Sequence, residues 1–376
     1  NKTMHTELSI ENFKCFSNKT TIKLGEINIC LGSNSVGKSS AIQSCILLRQ
    51  IYEQSKIYKN TNVDEYIIRL NDIYGLQLGD SQHIQSANKD EITFGIDGYE
   101  FQLYPILDSP MEMKVKNNYD IEKIFGNRGL FADEFYYLNA ERIGPRNYQL
   151  IDSKAINNCG VYGENTMHLL KLVNNNKVVE NKCFKLSEDK KVNTVGKQVE
   201  YWMDYIIPGI EITTDDVTDL RVSKMMLQQT VLDTGFLSPY NFGFGISYVL
   251  PIILTGLIAK EDTVFLVENP EAHLHPKGQS HIGYFLAMMA MAGVQIFIET
   301  HSEHVINGIR IAALQKHMNP EEISINYFSI KDYDGIARHV VDHITLNERM
   351  DLEVWPEGFM DQEEEDLRTL RELRRK

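Results

Sequence analysis

The chain is short of positive charge. Its 38 lysines and arginines stand against 52 aspartates and glutamates, a net charge of −14. A dedicated nucleic-acid coat needs clustered cations to displace counterions, so this balance argues against one across the whole surface. A local basic groove stays open, and so does contact with nucleic acid through a partner. Cysteine is also scarce. The five, at positions 15, 30, 45, 159 and 183, include no C-x-x-C pair. That excludes a cysteine-based zinc framework and fits reduced thiols. No apolar run approaches the roughly 18 residues that span a bilayer. The best candidate, Tyr248 to Ala259, is too short and begins beside a glycine pair. A secretory signal pattern is missing as well, Met4 reads as the natural start, and the expected location is the cytoplasm, without membrane contact. There is no internal repeat and no long low-complexity tract.

What is present is sharper. Gly32-Ser33-Asn34-Ser35-Val36-Gly37-Lys38-Ser39 is a complete G-x-x-x-x-G-K-[ST] phosphate loop. Ile27 to Leu31 before it is a short apolar, β-branched run and reads as a buried strand. Ser40 to Arg49 after it opens a helix that continues to about Tyr58. Glycines let successive backbone amides curl around phosphates. Lys38 is expected on the β- and γ-phosphates, Ser39 on Mg²⁺, and the positive end of the helix faces the anion.

A second element completes the first. The apolar strand Val264 to Val267 ends in Glu268-Asn269-Pro270-Glu271-Ala272-His273-Leu274-His275-Pro276. Glu268 is the expected metal-side acid. Asn269 stands where a general base is expected; an amide positions water but cannot accept its proton. Glu271 substitutes only if a turn brings it close. Upstream, Gly243-Phe244-Gly245-Ile246-Ser247 precedes an apolar helix from 247 to 260, whose N-terminus would use the Gly243 and Gly245 amides and the Ser247 hydroxyl. Downstream, Val294 to Glu299 is a strand, and His301 follows it as the expected switch histidine. Arg142 and Arg146 suit contact with phosphate or with an opposing head, or else a surface ion pair. His273 and His275 beside Glu271 are geometrically able to chelate, but no third ligand stands nearby.

The rest of the chain organises around these motifs. Strands are predicted at Thr6 to Ile10, Thr20 to Leu24, Phe135 to Leu138, Ile323 to Ile330 and Ala337 to Val341, and a hairpin around Asp97-Gly98. Helices are predicted at Gly278 to Ala292 and Glu303 to Leu314. Residues 59–90 and 111–130 are polar and weakly patterned. The acidic run Glu363 to Asp366 and the arginines after it predict a solvated helix with i,i+4 pairs. Four segments follow: an N-terminal lobe at 1–150, an inserted, mainly helical arm at 151–235, a second lobe at 236–345 and a small tail at 346–376.

The order of phosphate loop, glycine segment, acid strand and histidine resembles that of ABC-type ATPases, including SMC proteins and the OLD family. Glu141-Arg142-Ile143-Gly144-Pro145-Arg146, the Gly243 segment, the Glu268 segment and Trp355-Pro356-Glu357-Gly358-Phe359 resemble a subgroup of OLD-like bacterial ATPases with a C-terminal W-P-E-G-F motif. That resemblance implies an α/β phosphate-loop head with peripheral antiparallel strands. It implies ATP and Mg²⁺, with Ser39 and Glu268 on the metal. It also implies a homodimer or higher homo-oligomer, in which one head offers the glycine segment to nucleotide on the other. Some members act in anti-phage defence, including Septu-type systems that pair the ATPase with an HNH nuclease. The resemblance thus implies a slowly hydrolysing or non-hydrolysing scaffold for an effector. The alternative is a stand-alone SMC- or OLD-like DNA-repair ATPase that grips DNA. A transporter ATPase fits worse, because the glycine segment is atypical.

Overall fold

A computed structural model describes residues 4–374, except 34–35, 60, 62, 64, 87–88, 117–118, 185–191, 231–234 and 356–360. Asn34, Ser35 and most of the W-P-E-G-F motif therefore lie outside the described residues.

In chain order the elements begin with strands β1 (Glu7–Glu11), β2 (Thr20–Lys23) and β3 (Ile27–Gly32), then helix α1 (Lys38–Tyr58). Next come β4 (Glu65–Arg69), α2 (Ser81–Ile84), β5 (Ile92–Ile96), β6 (Tyr99–Pro105), β7 (Glu112–Lys116), α3 (Ile121–Phe125), β8 (Tyr136–Leu138) and β9 (Tyr148–Leu150). The middle holds α4 (Thr166–Val173), α5 (Val195–Ile206), β10 (Ile210–Val217) and β11 (Val222–Gln229). The last part runs α6 (Phe244–Ile258), β12 (Val264–Glu268), α7 (Pro276–Met291), β13 (Gln295–Glu299), α8 (Glu303–Gln315), β14 (Ile323–Tyr333), β15 (Ile336–Ile344) and α9 (Gln362–Leu373).

The central sheet has the order β15-β14-β3-β13-β12-β8. All neighbours are parallel except the β14–β15 hairpin. Both faces are covered, so its strands read as continuous apolar runs. Side-chain alternation divides them between two cores. Ile27, Ile29, Phe265, Val267, Ile296 and Ile298 face helices α4 to α8. Cys30, Val264, Leu266 and Phe297 face α1, whose far side packs on the antiparallel sheet β2-β1-β5-β6-β7-β4. Helix α1 is therefore sandwiched between sheets, and both of its sides are apolar.

Two strands of that outer sheet, β4 and β7, fall in stretches whose sequence is polar. They alternate: Tyr66 and Ile68 point inward and Glu65 and Arg69 outward, with Lys114 of β7 reaching Glu65 at 3.1 Å. Strands of five residues with charged outer faces carry too little apolar signal to separate from loop. Residues 151–235 carry helices α4 and α5 and also the hairpin β10–β11, which β9 extends to a three-stranded sheet. This segment is packed rather than projecting. Trp202 is 1% exposed and sits edge-on to Phe285 of α7. The terminal helix α9 is exposed and carries the Arg368–Glu372 i,i+4 pair at 3.5 Å. Among the described residues no helix is long and apolar enough to cross a membrane.

Candidate functional site

The site forms where β3, β13 and β12 end together at their carboxyl ends, the usual ligand edge of an open α/β sheet. Gly32 closes β3, and Gly37 starts α1 at a φ of 107°. Only glycine suits that position: a Cβ would also lie 2.7 Å from the Cys15 sulfur. Lys38 turns back over the loop and donates to the carbonyls of Gly32 (2.5 Å) and Ser33 (2.8 Å). It is 4% exposed. Burial lowers its pKa from the usual lysine value, while Glu299 opposes the shift. Among the described residues no carboxylate sits within ion-pair distance of it, and its short hydrogen bonds go to backbone carbonyls. The loop carbonyl of Val36 lies 3.3 Å from His339 Nδ1, and Ser40 donates its amide to Gly37.

Beside Lys38, Ser39 Oγ donates to both carboxylate oxygens of Glu299, each at 3.2 Å. Glu299 ends β13, between the loop strand and the acid strand, and is the paired neighbour of Glu268 in the parallel register. Sequence reasoning misses Glu299; the one available signal is an acid ending an apolar strand just before Thr300-His301. Burial, reinforced by the Glu268 carboxylate, pushes its pKa up to about 7. Glu268 is also raised by burial. It accepts from Tyr137 Oη and the Ala140 amide, both at 3.1 Å.

After Glu268 the chain reverses. Asn269 takes a φ of 46°, a left-handed conformation that asparagine tolerates, and its amide bonds to the Glu299 carbonyl at 2.8 Å. The turn brings Glu271 back to the site, where Oε1 accepts the His301 amide at 2.9 Å. Among the described residues the Asn269 Oδ1 and Glu271 Oε2 atoms are buried without a hydrogen-bond partner. An imidazole nitrogen of His301 lies 3.5 Å from Lys38 Nζ. Burial, then the Lys38 charge, lowers its pKa, against the Glu271 carboxylate. His304 is exposed on α8. Lys38, Ser39, Glu268, Asn269, Glu271 and His301 are thus neighbours, as the motifs require.

The glycine segment is arranged differently from the expectation. Helix α6 begins at Phe244 with Gly243 as its N-cap, so Gly245 and Ser247 lie inside its first turns. Gly245 has a packing reason: a Cβ there would meet the His273 carbonyl at 3.0 Å. The His273 ring lies against Phe244, with centroids 5.1 Å apart, and edge-on to Tyr248. Within this chain no hydrogen bond among the described residues joins Gly243, Gly245 or Ser247 to the phosphate loop.

Arg142 is neither a phosphate contact nor a surface ion pair. It is 3% exposed and donates to the carbonyls of Asn139 (2.9 Å), Glu268 (2.7 Å), Asn269 (2.7 Å) and Tyr248 (3.1 Å). Its fork ties the acid turn to α6. Burial lowers its pKa to about 10. Arg146 is exposed and contacts its neighbour Pro145.

Hard oxygen donors from Ser39 and Glu268 suit Mg²⁺, which takes one or two carboxylates and completes its shell with phosphate and water. No group of three or more His, Cys, Asp and Glu residues able to hold a metal ion occurs among the described residues.

Comparison with known proteins agrees on the fold. The head domain of an SMC protein bound to the C-terminal winged-helix domain of ScpA aligns with a TM-score of 0.50 at 10% identity, over 90% of this chain and 97% of that one. The SMC head from Thermotoga maritima aligns at 0.42 and 9% identity, over 89% and 98%. The Smc head with an extended coiled coil, bound to the C-terminal domain of ScpA derived from Pyrococcus furiosus, aligns at 0.49 and 11%, over 99% and 100%. The protein has an SMC-head-like α/β phosphate-loop ATPase fold. Within it, residues 190–307 match the family described as "AAA domain, putative AbiEii toxin, Type IV TA system". That match covers α5 to the start of α8, including Glu268 and His301, and begins after the phosphate loop. No curated protein matches the chain.

Proposed function

We propose that this chain binds ATP with Mg²⁺, closes head to head with a second copy of itself, and in the closed state scaffolds or restrains an effector protein. The convergence of Lys38, Ser39, Glu268 and His301 at one strand edge carries the reading. Lys38 would take the terminal phosphates. Ser39 and Glu268 would hold Mg²⁺, which supplies charge neutralisation on the β- and γ-phosphates. Asn269 orients water without taking its proton, and Glu271, returned to the site by the left-handed turn, is the available base. Slow hydrolysis or stable binding follows.

Closure is supported by α6. No side chain caps its N-terminus, Gly243 and Phe244 are exposed, and its first amides suit a phosphate presented by another chain. The lobes 1–150 and 236–345 would form the head, 151–235 the module packed beside it, and 346–376 the tail. The SMC head that aligns at a TM-score of 0.50 is bound to a domain of ScpA, which supports a protein partner in kind. The W-P-E-G-F resemblance supplies the effector class, an HNH nuclease in anti-phage defence, and the toxin named in the matched family suits such a role.

Light scattering on the purified chain tests this. Mass should double with ATP and Mg²⁺, and the increase should vanish in Lys38→Ala and Phe244→Asp. A mass unchanged by saturating ATP would overturn head-to-head closure. ATP-dependent retention on duplex DNA would favour the DNA-repair reading instead.

A further inference from the structure

We propose that Glu299 is a second carboxylate of the divalent-cation site, acting with Glu268 and Ser39; the role rests on the nucleotide reading of the phosphate loop. Three observations carry it. First, Glu268 and Glu299 are register partners on parallel strands, so their side chains leave the sheet on the same side, one strand spacing apart, about 4.8 Å. Glu299 is buried and Glu268 half-buried, and among the described residues neither has a cation within ion-pair distance. Buried like charges at that spacing repel, and a divalent ion between them removes the repulsion.

Second, the Ser39 hydroxyl points its hydrogen at Glu299, equidistant from both oxygens at 3.2 Å. A hydroxyl that ligates a metal as a neutral donor needs its hydrogen aimed away, at an acceptor, with its lone pairs left for the ion. Glu299 provides that acceptor. Third, the donor set is chemically consistent. Two carboxylates and a hydroxyl are hard oxygen ligands, too few to cage a metal alone but sufficient for Mg²⁺, which retains water and phosphate oxygens. The competing structural role is electrostatic: an acid near the first turn of α1, stabilising that helix without touching a metal.

Mn²⁺ as probe separates the two. The full-length chain with ATP is titrated with Mn²⁺ and free ion is read by electron paramagnetic resonance, while ATP binding is measured separately in EDTA. Glu299→Gln keeps shape and an acceptor oxygen but loses the charge. The expected result is about a 10- to 100-fold weaker Mn²⁺ affinity, with metal-free ATP binding unchanged. Mn²⁺ affinity equal to that of the unaltered chain would overturn the proposal. So would an equal loss of metal-free ATP binding, which would make Glu299 a shaper of the loop. Should the unaltered chain bind no ATP at all, the phosphate-loop reading fails, and Mn²⁺ titration of the chain alone then decides the metal site: weaker binding in Glu299→Gln supports it, equal binding overturns it.

Discussion

Glu271 and His301 are joined although neither lies on a regular element: the Glu271 carboxylate accepts the His301 amide at 2.9 Å. The contact locks the turn after the acid strand to the loop after β13, and leaves one Glu271 oxygen buried and, among the described residues, without a hydrogen-bond partner. Under the proposed function, that second oxygen is the one available to act as the general base.

Two substitutions distinguish the carboxylates of this turn. Glu271→Gln retains an acceptor for the His301 amide and removes the base, so phosphate release is expected to fall by about 10²-fold or more. Asn269→Glu is expected to leave turnover unchanged. It forces a longer residue into the left-handed conformation, at a cost of about 1 kcal/mol, and this appears as a lower melting temperature. A rise in turnover with Asn269→Glu would return the base to position 269.

Lys38→Ala is expected to abolish nucleotide binding. In the unaltered chain, ATP at 100 times its Kd stabilises the fold by about 2.7 kcal/mol, read as a rise in melting temperature. The variant should show no rise. A shift of equal size in both would remove Lys38 from the site.

Lys182 gives a pH signature away from the nucleotide site. It is 2% exposed, and its ammonium donates to the carbonyls of Gly256 (2.8 Å) and Ala259 at the C-terminal end of α6. Burial pushes its pKa down to about 8. The unfolded chain keeps this proton to about 10.5, the folded chain releases it near 8. Between these values the unfolded state binds more protons, so the contribution to stability rises with pH. Urea denaturation of the native chain and Lys182→Met should diverge by about 3 kcal/mol across that window, the native chain gaining as pH rises. Parallel curves would show that the two carbonyls keep the ammonium charged.

Arg142→Lys tests the tie between the acid turn and α6. A lysine cannot reproduce four bonds from one planar fork. Leaving two or more buried carbonyls unpartnered costs on the order of 3 kcal/mol. Urea denaturation should record that loss, together with weaker ATP binding as Glu268 loses its anchor. Unaltered stability would mean that the lysine or water satisfies these carbonyls.

Much of the head was legible because its signals are local. The phosphate loop, its strand and helix, the acid strand and the His301 loop each occupy a short contiguous stretch with the right periodicity. The hairpin at Asp97-Gly98 was legible for the same reason, since Asp97 and Gly98 both take positive φ. Strands β4 and β7 were not, because their apolar content is two or three residues each. The start of α6 was misplaced because Gly243 and Gly245 look like loop. Only the close approach of the His273 carbonyl explains a glycine inside that first turn.

The sequence by itself determined which chemistry is available: a phosphate loop, an acid at the end of a buried strand, an asparagine in place of a base, and a histidine after the next strand. Tertiary structure decided which acids stand beside it. Glu299 meets Ser39 only because β13 inserts between the loop strand and the acid strand in a parallel sheet. Arg142 meets Glu268, Asn269 and Tyr248 only because β8 pairs with β12 at the sheet edge. Both sets of contacts join residues more than 100 positions apart. Strand order and register place such residues side by side, and neither quantity is carried by a local pattern of apolar and polar residues.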